Sequence, residues 1–459
     1  MGSHNHDHSQ GDPRKIALLI VHQVLEKGAY ANIALDQYLR TAKLMPEDRH
    51  LVTEIVNGTI RMLKHLDWVL NLFLSKPVAA QNPWLRDILR ISLYQMLFMD
   101  NIPDYASVNS AVKLAGAQTG AKLAGVANGV LRNIARNRES LSYPDPGDLI
   151  KYLSIYCSQP EWLIQMLLTV YQISEVKKML AYFNERPGLV LRSNSLLGGR
   201  GELIEALRQE GVNCAASPRT PWAVLVEGLN KPLEQLAAYQ QGRFYVQNEA
   251  SMLAVAILKP EADQTIVDLG CGAGGKTTFM AELMNNRGII EAYDIYKHKI
   301  TLLKSNCQRL RISIVNGYNE DILVLKNKAN AAQGVLLDAP CSGLGVLNRR
   351  ADSRWRKNQA DIDGLTAIQL SLLEKAGQMA APGGTLVYST CTVNPHENEA
   401  IVLKYLDQSP GFHLEGFAGE LGFFPLDEAD RNQATGGMLT IRPGKYGTDG
   451  MFYARMRRG

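Results

Sequence analysis

The sequence predicts a multi-domain protein: an N-terminal all-α bundle, a small α+β connector and a C-terminal doubly wound α/β domain of Rossmann-like type. Three observations carry this. From Pro13 to about Arg138, apolar residues recur at helical spacing with no alternating run between them. The segment Pro144-Asp145-Pro146-Gly147-Asp148 breaks any helix and reads as a linker. From about Phe244, the short apolar runs TIVDLG, GIIEAYD, GVLLDAP and GTLVYST alternate with helical stretches, the texture of buried parallel strands. The expected divisions are a tail over 1–12, the helical domain over 13–143, the connector over 150–240 and the α/β domain over 241–459.

Each element has a local reason. The opening dozen residues hold His4, His6 and His8 among small polar residues and read as a flexible tail, with adventitious metal binding the lesser alternative. Ile16, Leu19, Ile20 and Val24 form one apolar stripe, which Gly28 closes at a C-cap position. Further stripes run through LVTEIVNGTIRML, LRDILRISLYQMLFM and VANGVLRNIA. After the linker, Ser158-Gln159-Pro160-Glu161 reads as a capping box that opens the helix EWLIQMLLTVY. Two β-like runs, Leu189–Arg192 and Ala223–Glu227, flank the helical GELIEALRQEG.

Composition narrows the function without naming it. The 459 residues carry 49 Lys plus Arg against 45 Asp plus Glu, so a net charge of +4 neither demands nor excludes a nucleic-acid partner. No apolar run reaches the roughly 18–20 residues of a membrane span, which points to a cytoplasmic protein with no membrane partner. Six cysteines over this length are not a disulfide framework, so buried reduced thiols are the ordinary reading for most of them. No metal site is expected.

The glycine-rich turn TIVDLGCGAGGKTT admits two chemistries. Gly270-x4-Gly275-Lys276-Thr277 has P-loop spacing, with the strand ending at Asp338 as its acidic partner. Asp268-x-Gly270-x-Gly272-x-Gly274 also has the acidic, glycine-spaced form of the first turn in class I methyltransferases that use S-adenosylmethionine. Charge favours the second. A carboxylate just before a phosphate-binding loop would face like charge, whereas the aminoacyl end of S-adenosylmethionine carries an ammonium that Asp268 and Asp338 can neighbour. Asp294, at the end of the next strand, is placed to bond both ribose hydroxyls. A plain structural turn is the third reading.

Cys341 and Cys391 each follow an apolar strand run, in Asp338-Ala-Pro-Cys-Ser and Ser389-Thr-Cys-Thr. In an open α/β sheet the ligand sits beyond the carboxyl ends of the strands, so both thiols face the region that the glycine turn helps form. One such cysteine would be read as core; two are not. The chemistry that needs them is methylation of a pyrimidine at carbon 5. A thiolate adding to carbon 6 makes carbon 5 nucleophilic, and the proton on carbon 5 must then leave before the thiolate can be eliminated. Asp338 is the nearest acid to favour the addition.

These residues resemble the bacterial RNA 5-methylcytosine methyltransferases of the NOL1/NOP2/Sun type. The matching segments are GGKTT at Gly274–Thr278, LLDAPCSGLGV at Leu336–Val346, the partial RRADSRW at Arg349–Trp355, and GGTLVYSTCTVNPHENE at Gly383–Glu399. VQNEAS at Val246–Ser251 and TDGMFYAR at Thr448–Arg455 match more weakly. LRISLYQMLFMDNIP, SVNSAVKLA and VANGVLRN make the N-terminal bundle resemble the RNA-binding NusB fold, a pairing that points to the ribosomal branch of the family. The resemblance implies Cys391 as nucleophile and Cys341 as the residue assisting release. It implies a cofactor loop over Gly270, Cys271, Gly272, Ala273, Gly274, Gly275 and Lys276, with Asp294 and Asp338 as further contacts to S-adenosylmethionine. The implied substrate is carbon 5 of a cytosine in 16S ribosomal RNA, expected at position 967, free or within a partly assembled small subunit, and the implied state is a monomer.

Three departures stand out. The loop reads Gly-Cys-Gly-Ala-Gly-Gly-Lys where the family has Cys-Ala-Ala-Pro-Gly-Gly-Lys. Tyr318 follows Gly317 where the family has an Asp for the adenine amino group, leaving Glu320 or Asp321 to substitute. A histidine common near Pro443-Gly444-Lys445 is absent.

For RNA contact, Arg349, Arg350 and Arg354 with Trp355 lie directly after the Cys341 turn, beside Arg356 and Lys357. They read either as a phosphate-binding edge with a stacking indole or as a solvated helix face. Arg455, Arg457 and Arg458 add a basic terminus. Two other functions stay open at this level: a P-loop nucleotidase with a helical partner domain, and a non-catalytic RNA-binding assembly factor.

Overall fold

The computed structural model describes residues 11–229, 231–325 and 330–459. Residues 1–10, most of the expected tail, lie outside the described residues. Two compact units emerge: residues 1–185 with Leu347–Arg356, and Arg186–Val346 with Lys357–Gly459. The helices that follow the linker therefore belong with the bundle, and so does a ten-residue excursion from the cysteine-bearing half of the chain.

The first unit is helical throughout: α1 (Pro13–Lys27), α2 (Ala31–Thr41), α3 (Pro46–Arg61), α4 (Leu63–Phe73), α5 (Pro83–Phe98), α6 (Asp104–Thr119), α7 (Ala121–Arg136), α8 (Leu149–Tyr156), α9 (Glu161–Val170) and α10 (Ile173–Asn184). Asp12 caps α1 by accepting the N–H groups of Arg14 and Lys15. Gly28 ends it at φ 74° with its N–H on Gln23, the C-cap that the sequence predicts. The expected capping box at Ser158 does not form. Pro160 is the N-cap of α9, and Ser158, at φ 51°, instead accepts the backbone N–H of Lys64 through its hydroxyl. The box forms one helix later, between Gln172 and Glu175.

The second unit holds two sheets. The smaller consists of β1 (Leu189–Ser193), β2 (Asn213–Ala216), β3 (Ala223–Gly228) and β4 (Phe244–Val246), antiparallel in the order β2-β3-β1-β4, with α11 (Arg200–Gln209) between β1 and β2 and α12 (Ala237–Gln240) before β4. α13 (Glu249–Leu258) leads into the larger sheet: β5 (Thr265–Leu269), α14 (Gly275–Leu283), β6 (Ile289–Tyr293), α15 (Lys297–Leu310), β7 (Val315–Tyr318), β8 (Ala332–Asp338), α16 (Gln359–Met379), β9 (Ala380–Thr390), α17 (Glu399–Gln408), β10 (Phe412–Leu414), α18 (Glu428–Thr435), β11 (Met438–Ile441) and β12 (Met451–Arg458).

The larger sheet runs β10-β12-β9-β8-β5-β6-β7, with β11 also pairing β12. β7, β6, β5, β8 and β9 are parallel, and β12 adds antiparallel to β9. Strand order reverses between β5 and β8. The crevice at that switch point lies between the glycine turn after β5 and the cysteine turn after β8, where an open α/β sheet binds its ligand. The predicted strands are all present. The antiparallel edge was not foreseen, because β11 and β12 carry no helix between them to set the βαβ rhythm.

Candidate active site

The glycine turn is built by backbone that only glycine tolerates at two points. Gly270 sits at φ 82°, where a Cβ would lie 2.6 Å from the carbonyl oxygen of Asp338. Gly274 sits at φ 92°, where a Cβ would lie 2.5 Å from Leu303. The N–H groups of Gly270 and Cys271 donate to the carbonyl of Tyr293, and Gly272 N–H donates to Asp294 Oδ2 at 3.0 Å. Asp294 also accepts the N–H of Tyr296 at 2.8 Å, so both its oxygens fix the turn while keeping lone pairs for a hydroxyl.

Three carboxylates surround this turn, and they answer the phosphate reading. Lys276 Nζ lies 2.6 Å from Asp338 Oδ2, so the lysine a P-loop needs for phosphate is already paired. Ser389 Oγ donates to the other Asp338 oxygen at 3.0 Å. Asp268 is fully buried; one oxygen accepts the Thr277 hydroxyl at 2.5 Å and Oδ1 has no hydrogen-bond partner. A turn with open space over Gly272, an unpartnered carboxylate oxygen and an acid at the next strand end fits a cofactor carrying an ammonium and a ribose.

Burial, the largest cause, pushes the Asp268 carboxyl up to about 7 from the usual 3.8, with Asp338 adding to the rise and the Thr277 hydroxyl opposing it. Its folded pKa is raised, so its stabilising contribution is full below about pH 4 and is lost as pH rises through 7. Asp268→Asn is expected to remove that slope. The difference in urea midpoint between wild type and variant should move against wild type from pH 4 to 7, and a constant difference would contradict it.

Other expected loop contacts divide. Cys271 is buried in the core, where burial and then Asp268 raise its thiol, so it lines the turn through backbone alone. The carbonyl of Ala273 accepts from Asn306 at 2.9 Å and from the Tyr245 hydroxyl at 3.3 Å, and Gly275 starts α14. Asp321 is exposed and accepts the N–H of Leu323, capping a short turn. Tyr318 stacks on Tyr293 with ring centroids 5.0 Å apart.

The two cysteines converge. Asp338 pairs with Ser389 in the β8–β9 register, and the turns that follow bring Cys341 Sγ to 3.4 Å from Cys391 Sγ. Both thiols are half-buried. The hydrogen bond to Cys391 and desolvation hold Cys341 well above the usual thiol range, and either sulfur can be the donor in the pair.

Glu397 organises both turns, a role that the sequence reading missed although the residue lay within a quoted motif. Its carboxylate is fully buried and accepts Ser342 N–H at 2.7 Å, the Ser342 hydroxyl, Gln369 Nε2 at 3.1 Å, Thr392 Oγ1 at 3.3 Å and Asn394 Nδ2 at 3.3 Å. Ser342 follows one cysteine and Thr392 the other, so a single side chain sets their spacing. Asn398 adds to this by accepting the Thr390 hydroxyl and donating to the Thr392 carbonyl. Glu397→Gln turns an amide donor onto these donors; about 1–3 kcal/mol of stability should be lost in urea unfolding, together with methyl-transfer rate. Unchanged stability and rate would refute the role.

The expected RNA edge needs correction. Arg354 is buried inside the first unit, donating to the carbonyls of Arg61, Ser158, Phe183 and Leu347 and to Asn184 Oδ1. Trp355 packs on the bundle core and donates its indole N–H to Ile60 at 2.7 Å. Arg356 donates to the carbonyls of Gly28 and Ala29 at the end of α1, and Asp352 accepts Ala31 N–H. The run is a strut, because its cations satisfy helix-end carbonyls. Arg349 and Arg350 remain exposed. The basic terminus is likewise tied down: Arg455 is buried and pairs with Glu415 and Glu420, and Arg458 donates to Ala380.

Comparison with known proteins agrees with this geometry. The family model "16S rRNA methyltransferase RsmB/F" matches residues 255–457, the "NusB family" model residues 12–136, and a "Methyltr_RsmF/B-like, ferredoxin-like domain" model residues 159–231. A relative from Synechocystis sp. named probable ribosomal RNA small subunit methyltransferase B is 34% identical, over 97% of this chain and 99% of its own. One of the same name from Bacillus subtilis is 33% identical, over 97% and 98%. Among solved structures, the crystal structure of PH0851 superposes with a TM-score of 0.81 at 26% identity, covering 98% of this chain and 99% of that one. NSun6 from Pyrococcus horikoshii with SFG shares the fold at a TM-score of 0.57 and 23% identity, over 65% and 98%. With the acid-flanked glycine turn, paired thiols and helical bundle in one chain, the protein belongs to the 16S rRNA methyltransferase RsmB/F family, which depends on S-adenosylmethionine.

Proposed function

We propose that the chain transfers a methyl group from S-adenosylmethionine to carbon 5 of a cytosine in 16S ribosomal RNA, at position 967, through a covalent adduct with Cys391. The observation that carries the reading is the 3.4 Å separation of the two thiols at the carboxyl ends of neighbouring parallel strands, next to the switch point. S-adenosylmethionine, when bound, supplies the electrophilic methyl. Cys391 adds to carbon 6, forming a sulfur–carbon bond and making carbon 5 the nucleophile. The Cys341 thiol lies 3.4 Å from the attacking sulfur, within hydrogen-bond reach of it. After transfer the carbon 5 proton passes to the Cys341 sulfur, which has given its own proton to solvent once Cys391 is bonded to carbon 6. The C–H electrons restore the ring double bond as the sulfur–carbon bond breaks and Cys391 leaves as thiolate. Asp338, fixed by Lys276 and Ser389, is the acid at the end of β8, three residues before Cys341. The cytosine must be flipped out or single-stranded to reach both thiols. The protein is taken to act as a monomer in the cytoplasm, on free RNA or a partly assembled subunit.

Bisulfite sequencing of 16S ribosomal RNA from a strain lacking the protein should lose one protected cytosine, which the purified protein with S-adenosylmethionine should restore. A full complement of 5-methylcytosine in that strain would refute the assignment. S-adenosylmethionine, and not ATP, should raise the melting temperature.

A further inference from the structure

The first unit contains a cavity of about 730 Å³ that none of the proposed chemistry uses. It opens among α4, α5, α8, α10 and the linker, and its size lies within the range of small-molecule sites. Its lining includes the cations Arg61, Arg138 and Lys177 and no carboxylate. The rest is aromatic to an unusual degree. His65 and Tyr143 lie 5.4 Å apart, Tyr143 and Tyr156 meet edge to face at 5.6 Å, and His65 meets Phe98 at 5.4 Å. Tyr156 is 50% exposed and Phe98 37% exposed, with Tyr152 stacked on the first at 5.4 Å and Tyr94 on the second at 5.4 Å, so the rings form a partly open aromatic wall.

His65 is fixed as a flat neutral ring: its Nδ1–H donates to the carbonyl of Tyr156, and Nε2 accepts from the Tyr143 hydroxyl, both at 3.2 Å. Burial lowers its pKa, so it adds no charge that would repel Arg138 or Lys177. The strut residue Arg354 holds one wall through Asn184. Both cations at the mouth, Arg138 and Lys177, are exposed.

A site with aromatic faces inside, cations at its mouth and no acid matches a group that is flat and π-rich with an anion attached. We propose that this cavity holds an unpaired nucleobase of the RNA substrate, other than the target cytosine, stacked on Tyr156 with its flanking phosphates on Arg138 and Lys177. The inference rests on RNA being the substrate. Such a contact would let the helical unit select RNA that displays an unstacked base, a feature read by shape and stacking more than by sequence.

The test uses the full chain and 16S ribosomal RNA transcribed with 4-thiouridine. Irradiation should cross-link RNA to peptides containing Tyr143 or Tyr156, identified by mass spectrometry. Tyr156→Ala and the double variant Arg138→Glu/Lys177→Glu should each weaken RNA binding by about tenfold to a hundredfold. Because Arg138 and Lys177 are exposed, the double variant should keep the wild-type melting temperature, and S-adenosylmethionine affinity should not change in either variant. Wild-type RNA affinity in both variants, or cross-links confined to other peptides, would overturn the proposal. The two readings fail separately. Variants that methylate with unchanged KM sink the cavity and leave the methyl transfer standing. Wild-type protein that binds and cross-links RNA at Tyr156 without methylating it does the reverse.

Discussion

Cys391→Ser is expected to lower methyl transfer to 16S ribosomal RNA by on the order of a thousandfold or more, the scale seen when a covalent nucleophile is removed. Serine keeps the shape but not the nucleophile, because a hydroxyl is far less acidic and far less reactive toward carbon 6 than a thiol. The fold should survive, since the site is held by Glu397 and Asn398 and not by the thiol. Cofactor affinity should therefore stay near wild type, and single-turnover assays with labelled S-adenosylmethionine would show the loss in chemistry alone. A variant that methylates at the wild-type rate would end the covalent mechanism. Cys341→Ala should fail at the other end of the reaction. Its RNA adduct should accumulate and resist denaturing electrophoresis, and finding only free RNA would count against the release role.

Arg192→Met is expected to destabilise the protein by about 3–5 kcal/mol, the cost of leaving one partner of a buried ion pair alone. Arg192 on β1 is fully buried, and its guanidinium reaches both Glu282 oxygens at 2.7 and 3.1 Å, Thr278 Oγ1 at 2.9 Å and the carbonyl of Gly275 at 2.6 Å. It also lies over the rings of Phe279 and Tyr245. One side chain thereby ties the small sheet to the helix that begins at the cofactor turn. The double variant Arg192→Met/Glu282→Leu should recover most of the stability, because two apolar side chains then replace two buried charges. Affinity for S-adenosylmethionine should stay reduced, since the carbonyl of Gly275 has lost its donor. A single variant as stable as wild type in urea would refute the pairing argument. Recovery of affinity with stability would show that the turn does not need the arginine.

Much of this architecture could be read locally. The helical stripes, Gly28, and the strand runs before Asp338 and Thr390 are set by side-chain period and turn chemistry within a few residues, so they follow from the chain alone. The direction of the two thiols followed as well, because a βαβ unit sends the turns after its strands to one edge of the sheet.

What local pattern could not supply is any contact between residues distant in the chain. Glu397 is a motif letter until folding gathers Ser342, Gln369 and Thr392 around its carboxylate. Arg192 looks like a strand residue until Glu282, 90 positions later, is buried against it. Arg354 and Trp355 show the same limit in the opposite direction. A run of cations with an indole has the composition of an RNA edge, yet packing spends those donors on helix-end carbonyls of the bundle. Periodicity and turn chemistry thus determined the elements and aimed the thiols. Which donor meets which buried acceptor was decided by three-dimensional packing, because desolvated polar groups must find partners wherever the fold happens to bring them.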